Sequence, residues 1–462
     1  MQKLKSLIIV FLIILCIPKI VFAQEMDDEY EELDYVWLDE EIQNAKELNK
    51  PDINSRCAVV FDRASKTIIW GKNENKEVPM ASTTKIMTAI ILLENIENLN
   101  EEVEVCKQAG SIGGSRLGLK RGDKITYNDL LYGLMLCSGN DSAIQIAVSV
   151  AGSVEEFANL MNKKAEELGL EHSHFVVPHG LDNDEHYTTA KELAIITDYA
   201  LNIEKFQQVV NTQNYTITIN GYPKNIRNTN ELLGYLNGVN GVKTGFTNGA
   251  GRCLVTSCIR NNFNIITVVL GADTKKMRTR DSIKLIEYTY QNYELIDLRK
   301  IVQNSFQNWQ EINEKRIKIY KGEKQIPQTI LGKLIYEKYP VLKTEKNNIL
   351  VEISSALKME APVEKNCKIG EAKVMLNTTQ IMSVDILIKE KIKRKSYINY
   401  YKELLQFYLN DYLDNYNKFC YHNNVFICGS SSADRAMPCQ GIGRGFEPRL
   451  PLQIKYGDIA KW

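Results

Sequence analysis

Residues 252–270 read RCLVTSCIR-NN-FNIITVVL, two runs dense in β-branched and apolar side chains joined by Asn261-Asn262. Asparagine tolerates the left-handed backbone that a two-residue turn needs, so the stretch predicts a tight antiparallel hairpin. Working outward, Cys57-Ala-Val-Val-Phe-Asp62 and Thr67-Ile-Ile-Trp70, joined by Arg63-Ala-Ser-Lys66, predict a second hairpin far away in the chain. Between the two, apolar residues recur at helical period from Thr83 to Asn95, over 128–150 and over 154–168, with Asn128 and Ser153 as N-caps. A further helix near Ser282–Asn292 follows the 252–270 hairpin. Strands at both ends of a mostly helical middle predict an α/β (α+β) fold, one antiparallel sheet covered by helices. Cys253 and Cys258 share one strand at odd separation, which directs them to opposite faces.

The 462-residue chain has room for more than one domain, and its 57 basic and 57 acidic side chains balance, so charge points to no nucleic-acid partner. Lys3 and Lys5 precede an apolar run from Leu7 to Cys16, and Val21-Phe22-Ala23 follows, the pattern of a secretory signal over 1–23. Residues 24–50 read as an acidic leader, 51–293 as the main domain and 294–390 as a small all-β domain. That last assignment rests on Ile349-Leu-Val-Glu-Ile353 and Ser383-Val-Asp-Ile-Leu-Ile388, with a turn around Cys367-Lys-Ile-Gly370. Over 391–415 a basic entry (Lys391, Lys393, Arg394, Lys395) leads into Tyr397, Tyr401, Leu404, Leu405, Tyr408 and Tyr412 on one helical face. Such a helix suits a membrane surface, or packs on its own domain. Residues 416–462 read as an irregular tail that need not be a natural domain, and the spacing of Cys420, His422, Cys428 and Cys439 fits no metal site. Export permits disulfides, yet the irregularly spaced cysteines are expected as buried free thiols.

Three short motifs carry chemistry. Ser82-Thr-Thr-Lys85 opens a predicted helix, where a three-residue step puts both side chains on one face. A serine hydroxyl is a poor nucleophile until a base takes its proton, and a lysine whose charge is disfavoured by burial and positive neighbours can do so. Alone the pattern is weak, since Ser355-Ala-Leu-Lys358 matches it equally well. Ser138-Gly-Asn140 interrupts an apolar run and places a hydroxyl and an amide where they could relay a proton and orient Lys85. Lys243-Thr-Gly245 lies just before the 252–270 hairpin, hence on a sheet edge, where Lys243 and Thr244 can hold a substrate carboxylate and Gly245 lets a ligand approach. Each could instead be an ordinary turn. Their order and spacing together favour the catalytic reading.

The set resembles the low-molecular-mass penicillin-binding proteins, the serine-type D-alanyl-D-alanine carboxypeptidases of peptidase family S11. The resemblance rests on Pro79-Met-Ala-Ser-Thr-Thr-Lys85, Gly122-Asp123 through Ser138-Gly-Asn-Asp141, Pro178-His-Gly-Leu181 and Lys243-Thr-Gly-Phe-Thr247. It implies a β-lactamase/DD-peptidase-like fold followed by the family's β-domain, with the 391–415 helix as a peripheral membrane contact. It further implies that Ser82 attacks the bond between the terminal D-alanines of peptidoglycan stem pentapeptides, with Lys85 as base and Ser138 as proton relay. The N–H groups of Ser82 and Phe246 would form an oxyanion hole, and Arg278 would join Lys243 and Thr244 at the terminal carboxylate. Arg280, two residues on, competes for that last role. β-Lactam antibiotics would acylate Ser82, no cofactor or metal is called for, and the protein would work outside the cell or on the outer face of the cytoplasmic membrane.

Three rivals set the tests. A β-lactamase needs a carboxylate for deacylating water, and the nearest candidate string is Asp198-Tyr-Ala-Leu-Asn202. A metallopeptidase would draw on His172, His174, His179 and His186, which lack a helical i, i+4 pair. A non-catalytic penicillin-binding sensor or scaffold would keep all three motifs.

Overall fold

The computed structural model describes residues 34–46 and 50–422, so the expected signal over 1–23 lies outside the described residues. The two hairpins read from sequence form the centre of one antiparallel sheet. Its strands are β1 (Cys57–Asp62), β2 (Thr67–Lys72), β3 (Val239–Thr247), β4 (Gly251–Arg260) and β5 (Phe263–Ala272), in spatial order β2-β1-β5-β4-β3. Asn261 and Asn262 take φ of 52° and 62°, the left-handed turn their chemistry allows. The distant hairpin joins through β1 and β5, where Cys57 faces Leu270 and Asp62 faces Ile265. That pairing leaves β3 as an edge strand, the place from which Lys243-Thr-Gly245 can meet a ligand.

Strand alternation sends side chains to two cores. On one face Val59, Phe61, Cys253, Val255 and Val268 pack with Ile86, Met87 and Ile90 of α2 (Lys85–Asn95). On the other, Val60, Leu254, Cys258 and Val269 pack with Ile283 and Ile286 of α8 (Lys275–Asn292). Cys253 and Cys258 therefore do face opposite ways, and both are free thiols. Helices α3 (Tyr127–Met135), α4 (Asn140–Ala151), α5 (Val154–Glu167), α6 (Ala190–Ala200) and α7 (Glu204–Val210) complete the first face.

Several expectations needed correction. Part of the acidic leader is a helix, α1 (Tyr35–Lys46), whose Leu38 and Ala45 are buried against the α8 side of the sheet. Asp39 and Glu40 are exposed, while Glu41 is buried and pairs with Arg280. The helix expected over 128–150 is two helices, broken at Ser138-Gly139, with Ser138 at φ 62°. The N-cap of α3 is Thr126, whose hydroxyl accepts from Asp129 N at 3.1 Å; Asn128 lies inside the helix. Ser153 caps α5 as expected. The last helix of the sheet domain begins earlier than expected, at Lys275, capped by Thr274.

Beyond 293, strands at Thr329–Leu331, Thr379–Ile388, Lys368–Leu376 and Ile349–Ser355 form a four-stranded sheet in that order. Beside the expected strands lies one helix, α9 (Leu298–Asn313), which buries Leu298, Val302 and Phe306. Tyr293–Asp297 pairs antiparallel with Lys338–Leu342, so the chain stays hydrogen-bonded across the domain boundary. Among the described residues, those from 394 onward form a separate unit, built of α10 (Tyr397–His422). Its exposed side chains include Tyr397, Tyr401, Leu404, Leu405, Tyr408 and Tyr412, and also Ile398, Leu409 and Leu413, which widen the apolar surface beyond one face. The helix continues into the expected tail as far as His422, and 423–462 lies outside the described residues. Among the described residues no helix is long and apolar enough to cross a membrane.

Candidate active site

The site forms where α2, the α3–α4 break, the 175–186 loop and β3 meet. Ala81–Thr84 makes a single tight turn ahead of α2, and Ala81 sits at φ 49°. This places Ser82 one turn before Lys85, as the motif spacing required. Lys85 is fully buried, and its Nζ lies 2.8 Å from Ser82 Oγ, 2.7 Å from Asn140 Oδ1 and 2.8 Å from the main-chain oxygen of His179. Two of these three partners, Asn140 Oδ1 and the carbonyl, can only accept. A neutral lysine has two N–H bonds and one lone pair. Donating to the two obligate acceptors leaves the lone pair for the hydroxyl of Ser82.

Asn140 is the first residue of α4, held from both ends. Its Nδ2 donates to Gly113 O and its main-chain N to Ser115 O, each at 2.8 Å. The loop that supplies those oxygens is itself held by Asp141, whose carboxylate accepts from Leu117, Gly118 and Leu119 N at 2.9, 2.8 and 3.0 Å. Ser138 sits at the break in a left-handed backbone that a non-glycine residue adopts at a cost of about 1–3 kcal/mol. Such strain concentrates where function over-determines the geometry.

β3 closes the far side. A Cβ placed on Gly245 would lie 3.1 Å from Ser82 N and 3.2 Å from Ala81 Cβ, so glycine lets the strand approach the nucleophile's backbone. Lys243 is buried, with Nζ 3.0 Å from Thr244 O. The Thr244 hydroxyl lies 2.6 Å from that of Thr229, a partner the sequence did not reveal. Phe246 is half-buried beneath the Arg252 guanidinium, 3.8 Å from its ring centre. Arg278 lies in the first turn of α8, fully buried, with Nη2 3.4 Å from Glu231 Oε1. Arg280 instead pairs with Glu41 of α1 at 2.6 Å.

The 175–186 loop is the part of the site sequence reading missed. Pro178 O accepts from Thr88 Oγ1 at 2.6 Å, and Asp182 accepts from Thr247 Oγ1 at 2.5 Å and Gly249 N at 2.9 Å. It thus ties α2 to the end of β3. Pro178-His-Gly-Leu181 was visible, but the functional atom is the His179 carbonyl, which no side-chain pattern encodes. Burial pushes the His179 imidazole down to about 3. Burial, followed by His174, pushes His186 down to about 4. Both are neutral at ordinary pH.

The rival constellations come apart. His172 pairs with Glu77 at 2.9 Å, His174 bonds the Glu185 carbonyl at 2.6 Å, and His179 and His186 are buried in the loop just described. Among the described residues no group of three or more His, Cys, Asp or Glu could hold a metal. Asp198, the carboxylate a β-lactamase reading needed, is taken by Arg63 at 2.8 Å and Lys66 at 2.6 Å. Ser355 ends one strand and Lys358 begins another, so the duplicate motif has no helix to align it.

Residues 44–274 match the family model described as D-alanyl-D-alanine carboxypeptidase, and 306–394 match the penicillin-binding protein 5 C-terminal domain. The chain is 29% identical over 372 residues to the D-alanyl-D-alanine carboxypeptidase DacF of Bacillus subtilis, covering 79% of this chain and 92% of that protein. It is 33% identical over 263 residues to the D-alanyl-D-alanine carboxypeptidase of a Streptomyces species, covering 53% of this chain and 90% of that one. Among solved structures, penicillin-binding protein 5 from Haemophilus influenzae superposes with a TM-score of 0.63 at 26% identity, covering 75% of this chain and all of that one.

Proposed function

Because the chain belongs to the D-alanyl-D-alanine carboxypeptidase family, a family of penicillin-binding serine hydrolases, we propose that Ser82 is the nucleophile through which it removes the terminal D-alanine from peptidoglycan stem pentapeptides. The observation that carries this assignment is the acceptor set around Lys85. Neutral Lys85 takes the proton of Ser82 Oγ as the oxygen attacks the carbonyl between the two D-alanines. The N–H groups of Ser82 and Phe246 receive the developing oxyanion; the close approach of Gly245 to Ser82 N supports that pairing. As the C–N bond breaks, the departing amine takes a proton from Lys85 by way of the Ser138 hydroxyl. Water then attacks the acyl-enzyme, Lys85 accepts its proton, and the tetrapeptide leaves with Ser82 restored.

Lys243, Thr244 and Arg278 would receive the terminal carboxylate of the substrate. A β-lactam would acylate the same serine and leave slowly, because Asp198 is bound to Arg63 and Lys66 rather than free to activate water. The basic entry and apolar surface of α10 support peripheral contact with a membrane, on the outer side if residues 1–23 direct export. Full-length protein should sediment with anionic vesicles and a chain ending at Lys393 should not; equal sedimentation would remove the role of α10.

The deciding experiment is D-alanine release from a pentapeptide by wild type and Ser82→Ala. Loss of release in the variant is expected, together with loss of the covalent mass added by penicillin. Release by a folded Ser82→Ala protein would overturn the assignment.

A further inference from the structure

Behind the nucleophile runs a polar chain that the mechanism above does not use. Ala81, directly before Ser82, holds a left-handed φ of 49°, a conformation that a non-glycine residue keeps only where its surroundings impose it. Its carbonyl oxygen accepts from Thr84 Oγ1 at 2.8 Å. Thr84 Oγ1 in turn lies 2.8 Å from His186 Nε2. The tautomer follows from the other ring nitrogen: Val176 N–H donates to Nδ1 at 3.2 Å, so the proton is on Nε2. The chain therefore runs one way, from Nε2–H to the Thr84 hydroxyl and from that hydroxyl to Ala81 O. His186 is buried, with Phe175 edge-on at 5.7 Å, so its ring has little freedom to turn.

We propose that His186 is a positioning residue for acylation: through Thr84 it holds the left-handed turn at Ala81 that presents Ser82 Oγ to Lys85. Accepting from His186 fixes the threonine hydroxyl toward Ala81 O and strengthens its donation, since hydrogen bonds in series polarise one another. The inference rests on Ser82 being the nucleophile and adds a residue 104 positions away to what sets its geometry.

The test uses the full chain and a fluorescent penicillin, with saturation kinetics separating the encounter dissociation constant from the first-order acylation constant. Penicillin mass on wild type but not on Ser82→Ala secures the nucleophile first; failure there would sink the earlier reading and leave the question of His186 distinct from it. His186→Phe keeps a ring without a donor, and Thr84→Val keeps the shape without the hydroxyl. Each is expected to lower the acylation constant tenfold or more with the encounter constant within threefold, and the double variant to be no slower than the worse single one. His186→Gln, whose amide nitrogen falls near the position of Nε2, is expected to recover most of the rate. Acylation within twofold of wild type in folded Thr84→Val, or His186→Gln as slow as His186→Phe, overturns the proposal. Should His186→Phe fail to fold, Thr84→Val carries the test alone.

Discussion

Replacing Asp141 by alanine probes how the site is held together, because this carboxylate is fully buried and touches neither Ser82 nor Lys85 in the hydrogen bonds that define the site. It accepts main-chain N–H groups from Leu117, Gly118 and Leu119, and from Ser142 next to it, and its removal leaves them without that acceptor. A hydrogen bond to a charged group is worth about 1.5–3 kcal/mol, and an orphaned buried donor costs about 1–3 kcal/mol. Partial entry of water softens the loss, so about 3–5 kcal/mol of stability should go, and a domain this size should melt roughly 10 °C lower. The same loop provides Gly113 O and Ser115 O to Asn140, so acylation by penicillin should also slow, by about tenfold for each 1.4 kcal/mol of lost orientation. Asp141→Asn should rescue little. It keeps one acceptor oxygen but turns an NH2 toward two N–H donors. Thermal melts and stopped-flow acylation on the same preparation decide the matter: a midpoint within about 2 °C of wild type and acylation within twofold would show that the loop does not depend on Asp141.

Three further outcomes follow from the geometry. Gly180→Ala would place a Cβ 1.9 Å from Ala81 O at a φ of 86°, so the nucleophile turn must shift; penicillin acylation should fall by at least a hundredfold, and unchanged acylation in a folded variant would refute the packing. Asn140→Asp would set a negative charge 2.7 Å from Lys85 Nζ and favour the ammonium form; the acid limb of the acylation pH profile should move alkaline by about 1–3 pH units, and an unmoved limb would count against Lys85 as base. The histidines make a prediction about stability. Unfolded, they bind protons near pH 6.5; folded, His186 waits until about 4 and His179 until about 3, so the unfolded state binds more protons between those values. Stability should fall as pH drops from about 6.5 toward 4, by up to about 1.4 kcal/mol per pH unit for each histidine. Urea midpoints at pH 7 and pH 5 should differ less in His186→Gln than in wild type; equal differences would mean that His186 is already charged in the folded protein.

How far the fold could be read depended on whether its signal was local. The 252–270 hairpin was legible because β-branched runs and an Asn-Asn turn agree over adjacent residues, whereas the pairing of β1 with β5, far apart in the chain, is a tertiary fact. Helix α1 was not legible: its 12 residues are evenly split between apolar and polar, and burial of Leu38 and Ala45 against α8 is a tertiary fact. The break between α3 and α4 was read as a polar interruption, but only the positive φ of Ser138 makes it an interruption of the helix itself. In the site, Ser82, Lys85 and Asn140 were found by residue type and spacing, and they do converge on one nitrogen. His179 was first weighed as a metal ligand, although what it contributes is a backbone oxygen. Thr229 and Asp182 act on Thr244 and Thr247 from loops whose sequences resemble any turn.

The separation of these parts along the chain has a physical reason. Lys85 must hold its lone pair toward one hydroxyl while buried where water cannot supply alternative acceptors. A single helix provides the Ser82–Lys85 pair but no obligate acceptor for the two remaining N–H bonds, because the carbonyls of α2 are spent on its own ladder. One acceptor must therefore come from a side chain on another element, which is Asn140 at the start of α4, and the other from a carbonyl outside regular structure, which is His179. Each of those needs its own anchor: Gly113 O and Ser115 O for Asn140, and Thr88 with Thr247 for the loop around His179. A substitution in any anchor then reaches the nucleophile through the orientation of a single amine. Rigid burial makes Lys85 directional.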